Sequence, residues 1–190
     1  MQRVIAAAVL IVLMALAFSR IVQHQSEGSG QALLKERGEV NVYDVEREQT
    51  VVAYRSGFAP EVMKDKLTDL EYHVAFEAGT ERPFTSPLNK NKRSGVYKSI
   101  VSGNDLFHSD HKFDSGTGWP SFYRPVNESN IELREDNSLF MKRVEVVDAV
   151  SGAHLGHVFK DGPPPTGLRY CINGAALKFV EGVPFKEPPQ

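Results

Sequence analysis

Cysteine occurs once in the 190 residues, at position 171, which excludes every intrachain disulfide, every CxxC redox pair and every multi-cysteine zinc site. No charge of one sign dominates. The 22 Lys and Arg stand against 24 Asp and Glu, so electrostatics gives no reason to expect nucleic acid or an acidic membrane face as partner. Internal repeats and low-complexity tracts are absent, and Trp119 is the only tryptophan. What remains is ordinary: 41% apolar and 24% charged residues, which sets aside disorder and collagen-like structure. The length suits one domain of common size plus additional segments, with no covalent staple needed for stability.

One long hydrophobic run is present. Arg3 precedes Val4 to Phe18, which contain no polar residue, before Ser19 and Arg20. The pattern predicts a signal peptide or membrane anchor over residues 1–25, with Ala15-Leu16-Ala17 as a cleavage site. These 15 apolar residues are short for a span of about 20, but Ile21-Val22 follow closely, so an uncleaved single-pass anchor over residues 4–22 stays open. The protein is expected to be exported, periplasmic or extracytoplasmic. Residues 26–59 read as a linker or N-terminal extension, a solvated tether of mixed charge, although Val40, Val42, Val51, Val52 and Tyr54 leave room for a strand or two between Asn41 and Tyr54.

The main domain is expected over residues 60–185. Pro60 to Leu67 can form a short helix, and Thr68-Asp69-Leu70-Glu71 has the capping-box form of a second that ends before Gly79. From Gly95 onward the helical period disappears. Short apolar runs punctuated by Gly, Pro, Asn and Asp (Gly95 to Val101, Asp114 to Phe122, Ser138 to Val147, His154 to Phe159, Leu168 to Asn173, Leu177 to Phe179) predict a mainly β domain with antiparallel pairing.

The segment Gly167 to Gly174 carries the clearest chemistry. As a strand, its period of two sets Arg169, Cys171 and Asn173 on one face and Leu168, Tyr170 and Ile172 on the apolar other. A guanidinium beside a thiol favours the thiolate, the nucleophilic form, so Arg169 can activate Cys171; the alternative reading of a lone cysteine is an inert small hydrophobe. Upstream, His154 and His157 are three apart and fall on opposite faces of a straight strand. Both reach one site only if Gly156 permits a bulge or bend. Such a pair can bind and protonate an oxygen, with Asp161 fixing charge nearby. A second pair, His108 and His111, invites a zinc reading together with His154 and His157, but carboxylate or thiolate help is missing. Trp119, held between Gly118 and Pro120, and Phe122 could wall a small apolar pocket.

Together these pieces resemble the type B methionine sulfoxide reductases, in the family's order over roughly residues 60 to 182: Gly79-Thr80-Glu81-Arg82-Pro83-Phe84, Gly95-Val96-Tyr97, Leu106-Phe107, Lys112 to Phe122, His154 to Phe159 and Gly167 to Asn173. The resemblance implies a fold of two antiparallel sheets and reduction of the R epimer of methionine sulfoxide in oxidised proteins or peptides. It makes Cys171 the attacking thiolate, which ends as a sulfenic acid, and Trp119 the wall for the substrate's methyl group. His154 and His157 take the place of the pair that holds the oxygen and supplies a proton, with Asp161, Arg169 and Asn173 as the supporting polar set.

Two departures from the family pattern alter what is expected. Many members carry a resolving cysteine at the position of Thr117, so here the sulfenic acid must be reduced by an external small thiol or a thioredoxin-like protein. Many also hold a structural zinc through two CxxC pairs, whose places are taken by Ser99, Ser102, Asp148 and Ser151. No zinc and no other cofactor is expected, since hydroxyls and one carboxylate do not replace soft thiolates. A monomer is expected. The competing readings are a membrane-anchored module that binds sulfoxides without turnover and another Cys/His catalyst such as an acyl or peptidoglycan transferase.

Overall fold

In a computed structural model, residues 38–137 and 142–188 are described; the leader expected over residues 1–25 lies outside them. Among the described residues no helix is long and apolar enough to cross a membrane. Among the described residues, eleven strands and two short α-helices follow one another. The strands are β1 (Glu39–Asp44), β2 (Gln49–Tyr54), β3 (Gly95–Ser99), β4 (Asp105–His108), β5 (Lys112–Phe113), β6 (Ser121–Phe122), β7 (Ile131–Asp136), β8 (Arg143–Asp148), β9 (His154–Phe159), β10 (Arg169–Ile172) and β11 (Leu177–Glu181). Of the helices, α2 (Asp69–Glu77) stands where the sequence places it, while α1 (Pro60–Met63) covers only the first half of the expected Pro60 to Leu67. Thr68 Oγ1 accepts from the Glu71 N–H while the Glu71 carboxylate accepts from the Thr68 N–H, satisfying two donors that the first turn would otherwise leave bare.

The mainly β expectation holds. A six-stranded sheet, ordered β5-β6-β10-β9-β8-β7, and a three-stranded sheet, ordered β11-β3-β4, are antiparallel throughout. The core forms from Tyr97, Leu106 and Phe107 of the smaller sheet with Phe122, Val146, Leu155, Tyr170 and Ile172 of the larger, closed by Val74 of α2. Phe107 stacks on Phe122 with centroids 4.5 Å apart, and Tyr97 meets Phe122 edge-on at 5.0 Å. Each fully buried aromatic or aliphatic side chain there stabilises the fold by about 1.5–3 kcal/mol.

Phe122 therefore does not wall a pocket. It is fully buried in this aromatic cluster, because the two-residue strand β6 turns it toward the core. The tether expected before residue 60 also needs correction over residues 39–54. There β1 and β2 form a hairpin: Val40 and Val42 pack on Ala149 and Val150, while Tyr43 and Val45 pack with Val96 and Val126. The docked edge of β1 is satisfied by side chains. Asn130 accepts from Tyr43 N and donates to Tyr43 O, both at 2.8 Å, and the buried Asp105 accepts from Val45 N at 2.8 Å. Burying a strand edge costs little when every backbone donor finds such a partner.

Candidate active site

Strand β10 positions the thiol. Tyr170 and Ile172 point into the core, whereas Arg169 and Cys171 on the other face are only partly buried, as period two requires. The antiparallel register sets Cys171 opposite His157 on β9 and opposite Ser121 on β6. Bringing His154 to the same side takes an extra residue. Val146 of β8 aligns with Gly156 and Val147 with His154, so Leu155 is the inserted member of a bulge and drops into the core. The two imidazole centroids consequently lie 5.4 Å apart. Gly156 is required by close approach, since a Cβ there would sit 2.1 Å from the Cys171 carbonyl oxygen.

Each imidazole has its own carboxylate. His154, buried with 4% exposure, shares Nδ1 with Glu145 at 2.7 Å, and its Nε2 is buried without a hydrogen-bond partner. Burial pushes the His154 pKa below the ordinary imidazole value, with Glu145 pulling in the opposite direction. His157 Nε2 lies 2.8 Å from Asp136, whose same oxygen accepts from Arg143 at 2.7 Å. Arg169 is held by Asp161 through two parallel hydrogen bonds of 2.9 and 2.8 Å, and its guanidinium lies 4.4 Å from the Phe159 ring centroid. The Asp161 carboxylate is thereby lowered in pKa, and the arginine raised, chiefly by that hydrogen bonding.

Activation of the thiol by Arg169 is outweighed. Burial pushes the Cys171 thiol above its ordinary pKa; the Thr117 hydroxyl, 3.9 Å from Sγ, and Arg169 act the other way, and Asp161 adds to the rise. The physical reason is that the cation is already matched by the Asp161 carboxylate, while desolvation of the thiolate has no comparable offset. Burial therefore favours the thiol over the thiolate in the resting site.

A cavity of about 180 Å³ opens over Sγ. Trp119 and Phe159 supply its apolar surfaces, and His157, Arg143 and Asn173 bring polar groups to it beside Cys171. The structure thus brings together Cys171, His157, Trp119 and Asn173, seats His154 beside His157, and places Arg169 and Asp161 as a paired flank. Phe159, not Phe122, is the second aromatic. His108 and His111 are elsewhere: His108 contacts the Val183 carbonyl, His111 accepts from Arg124, and both pack on Phe185, so no joint metal site with His154 and His157 exists.

Glu81 is the residue that sequence reasoning missed most clearly. Its buried carboxylate accepts from Gly174 N (2.7 Å) and Ala175 N (2.8 Å), its carbonyl accepts from the Trp119 indole (3.1 Å), and its N–H donates to Asn173 Oδ1 (3.0 Å). One residue thereby ties the pocket wall to the turn after Cys171. Its signal in the sequence was its place in the Gly79-Thr80-Glu81-Arg82-Pro83-Phe84 block, beside Arg82, which carries no hint of burial. At the positions matching the family's zinc ligands, Asp148 is fully buried and accepts from Ser102 (2.6 Å), Ser151 (2.5 Å) and Asn104 (2.8 Å). Its oxygens are occupied by these donors and Ser99 Oγ is turned to the Val101 and Ser102 N–H groups, so this donor set does not fit zinc. Among the described residues no cluster of three His, Cys, Asp or Glu able to hold a metal occurs.

A single thiol with an imidazole pair and an apolar wall defines a cysteine-based site for a small group carrying an oxygen. The SelR domain model matches residues 67–181, and the chain belongs to that family. The peptide methionine sulfoxide reductase MsrB of Methanosarcina mazei is 55% identical over 118 residues, which cover 62% of this chain and 84% of that protein. Escherichia coli MsrB is 50% identical over 122 residues, 64% of this chain and 89% of that protein. The two-part MsrA/MsrB protein of Vibrio cholerae is 54% identical over 120 residues, 63% of this chain and 32% of that protein.

Proposed function

We propose that the protein reduces methionine-(R)-sulfoxide in proteins and peptides to methionine, with Cys171 as nucleophile. The observation that carries this reading is the convergence of the one thiol, His157 and Trp119 on a single cavity, with His154 seated 5.4 Å from His157 behind it, in a chain of the SelR family. The substrate's methyl group packs against Trp119 and Phe159, and its oxygen points at the imidazole pair. Sulfoxide sulfur is a poor electrophile until that oxygen gains a proton or strong hydrogen bonds. The protonated resting thiol suits this need. Its proton travels through the imidazoles to the oxygen as Sγ becomes nucleophilic, and the oxygen ends on Sγ. Thiol plus sulfoxide gives sulfenic acid plus thioether, so this half-reaction takes up no proton or electron from outside. Because oxygen site and methyl wall occupy fixed directions around sulfur, one epimer presents its lone pair to Sγ.

The sulfenic acid on Cys171 then meets an external thiol, either a small molecule or a thioredoxin-like protein: the incoming sulfur displaces water to form a mixed disulfide, and a second thiol frees Cys171. This step is external because the chain has no other cysteine. The Asp148 hydrogen bonds, in place of zinc, close the loops at 99–102 and 148–151. Export or anchoring by the apolar run Val4 to Phe18 places the activity outside the cytoplasm, which intact-mass measurement on membrane and soluble fractions tests directly.

The functional test is turnover of the separate R and S epimers of N-acetylmethionine sulfoxide with dithiothreitol. Only the R epimer is expected to react, and Cys171→Ser should be inactive. Activity that survives this substitution would overturn the reading. One turnover without thiol should leave a dimedone-reactive Cys171; binding of the sulfoxide without product would identify a silent binding module instead.

A further inference from the structure

A second, larger cavity is lined from the same two chain segments, 80–84 and 114–119, that border the Cys171 site. Thr80 borders the Cys171 cavity, while Phe84, four residues on, borders a groove of about 640 Å³. The loop between Asp114 and Trp119 lies between them. Asp114 and Gly116 line the groove, whereas Thr117 approaches Cys171 Sγ and Trp119 lines the catalytic cavity. At the junction Phe84 adopts φ 65°, a left-handed conformation rare for an aromatic residue, fixed by its N–H donating to Gly118 O at 2.8 Å. Its side chain is left 63% exposed.

The charges of the groove are uneven. Lys90 and Lys92 are exposed, and Lys112 is half-buried with its Nζ donating to the Asn89 carbonyl at 2.7 Å. The one acid among the lining residues, Asp114, already accepts from Gly116 N at 3.0 Å. Phe84 and Phe113 add apolar surface. A cationic wall over aromatic surface, with no matching set of acids, is built for an anionic chain and not for a neutral small molecule.

We propose that this groove receives an acidic stretch of the substrate polypeptide next to the oxidised methionine, so that the enzyme prefers methionine sulfoxides flanked by Asp or Glu. The inference rests on the reductase reading above and adds to it a substrate class. Thr80 at the Cys171 cavity and Phe84 at the groove are four residues apart, and Lys90 and Lys92 line the same groove as Phe84. Exposed pairs of this kind are individually weak, so the preference comes from two or three of them acting together with longer-range steering.

The test uses three substrates of the full chain with dithiothreitol as sole reductant: N-acetylmethionine-(R)-sulfoxide as reference, and two peptides of equal length whose methionine-(R)-sulfoxide is flanked on both sides by Asp-Glu or by Lys-Lys. Expected at low salt is a kcat/KM for the acidic peptide about tenfold above that for the basic one, shrinking to about twofold or less near 0.5 M salt. Lys90→Glu combined with Lys92→Glu, both at exposed positions, should invert the order relative to the reference. Equal ratios for the two peptides, or an order untouched by the double reversal, would overturn the proposal. So would a reversal that, in a parallel assay with a dithiol protein in place of dithiothreitol, alters only the KM of that reductant, which would identify that protein as the occupant. If the reference itself is not turned over by the unmodified chain, the reductase reading fails and this proposal falls with it.

Discussion

Replacing Glu145 by Gln removes one charge and almost no volume. Glu145 accepts from, or shares a proton with, His154 Nδ1 at 2.7 Å, and His154 is nearly sealed from solvent, so water cannot substitute for the lost carboxylate. A charge-assisted hydrogen bond to a buried group contributes about 1.5–3 kcal/mol. If that energy supports the imidazolium form during proton delivery to the sulfoxide, its loss lowers kcat/KM by about 10- to 100-fold. The change has a second signature in stability. Burial already holds the folded-state pKa of His154 below its unfolded value, so between that lower value and about 6.5 the unfolded chain binds more protons and stability rises with pH. Without Glu145, which acts to raise that pKa, the acid-side loss deepens. Two measurements check this: kcat/KM for the R epimer from pH 5 to 8, and melting temperature over the same range. A variant within about twofold of the parent rate at every pH, with the same dependence of melting temperature on pH, would refute the role given to this carboxylate.

Three further outcomes follow from the site. Because burial raises the Cys171 pKa, iodoacetamide should alkylate it slowly at pH 7 and faster only above the ordinary thiol range near 8.5, and Arg169→Ala should move that rise still higher; a rate that levels off below pH 8 would contradict the thiol form of the resting enzyme. Glu81→Ala leaves the N–H groups of Gly174 and Ala175 without their acceptor, at a cost of about 3 kcal/mol, or about 6–12 °C in melting temperature, with activity falling alongside as Trp119 loses its anchor. A chelator should leave the melting temperature unchanged, whereas Asp148→Ala should lower it by several degrees, since three side-chain donors lose a buried acceptor; chelator-induced unfolding would reinstate a metal.

The strand bearing Cys171 was legible because a period of two is a local property, and Tyr170 and Ile172 indeed occupy the core while Cys171 faces the cavity. The histidine pair was legible only as a condition. Gly156 permits the bulge, but the residue inserted, Leu155, is set by pairing with Val146 and Val147 on another strand. Phe122 went astray for a similar reason: after the turns between Asp114 and Pro120, a two-residue strand has no repeating pattern from which its facing can be read. The β-favouring residues of 41–54 left room for a strand or two within an expected tether but gave no sign of docking, because Ala149, Val150 and Val126 lie some 75 or more residues further along the chain. The direction of the Cys171 pKa was misread because the sequence displays a neighbouring cation but neither its carboxylate partner nor the burial of the sulfur.

The lone thiol also constrains the order of events. Sγ borders a cavity of about 180 Å³ walled by Trp119 and Phe159, and in the proposed mechanism the oxygen acquired from the substrate sits on that same sulfur. While methionine remains against the aromatic wall, an incoming thiol has no line of attack on the sulfenic sulfur opposite its hydroxyl. Product must leave before reductant binds. The kinetics are therefore expected to be of ping-pong form, with parallel lines in double-reciprocal plots of rate against sulfoxide at several dithiothreitol concentrations. Shortening Trp119 to Ala widens the cavity on the methyl side; it should weaken sulfoxide turnover while leaving the rate of the isolated thiol step, started from preformed sulfenic acid, close to that of the parent. Lines that intersect would mean that sulfoxide and thiol occupy the enzyme together, which a single cavity over one sulfur does not allow.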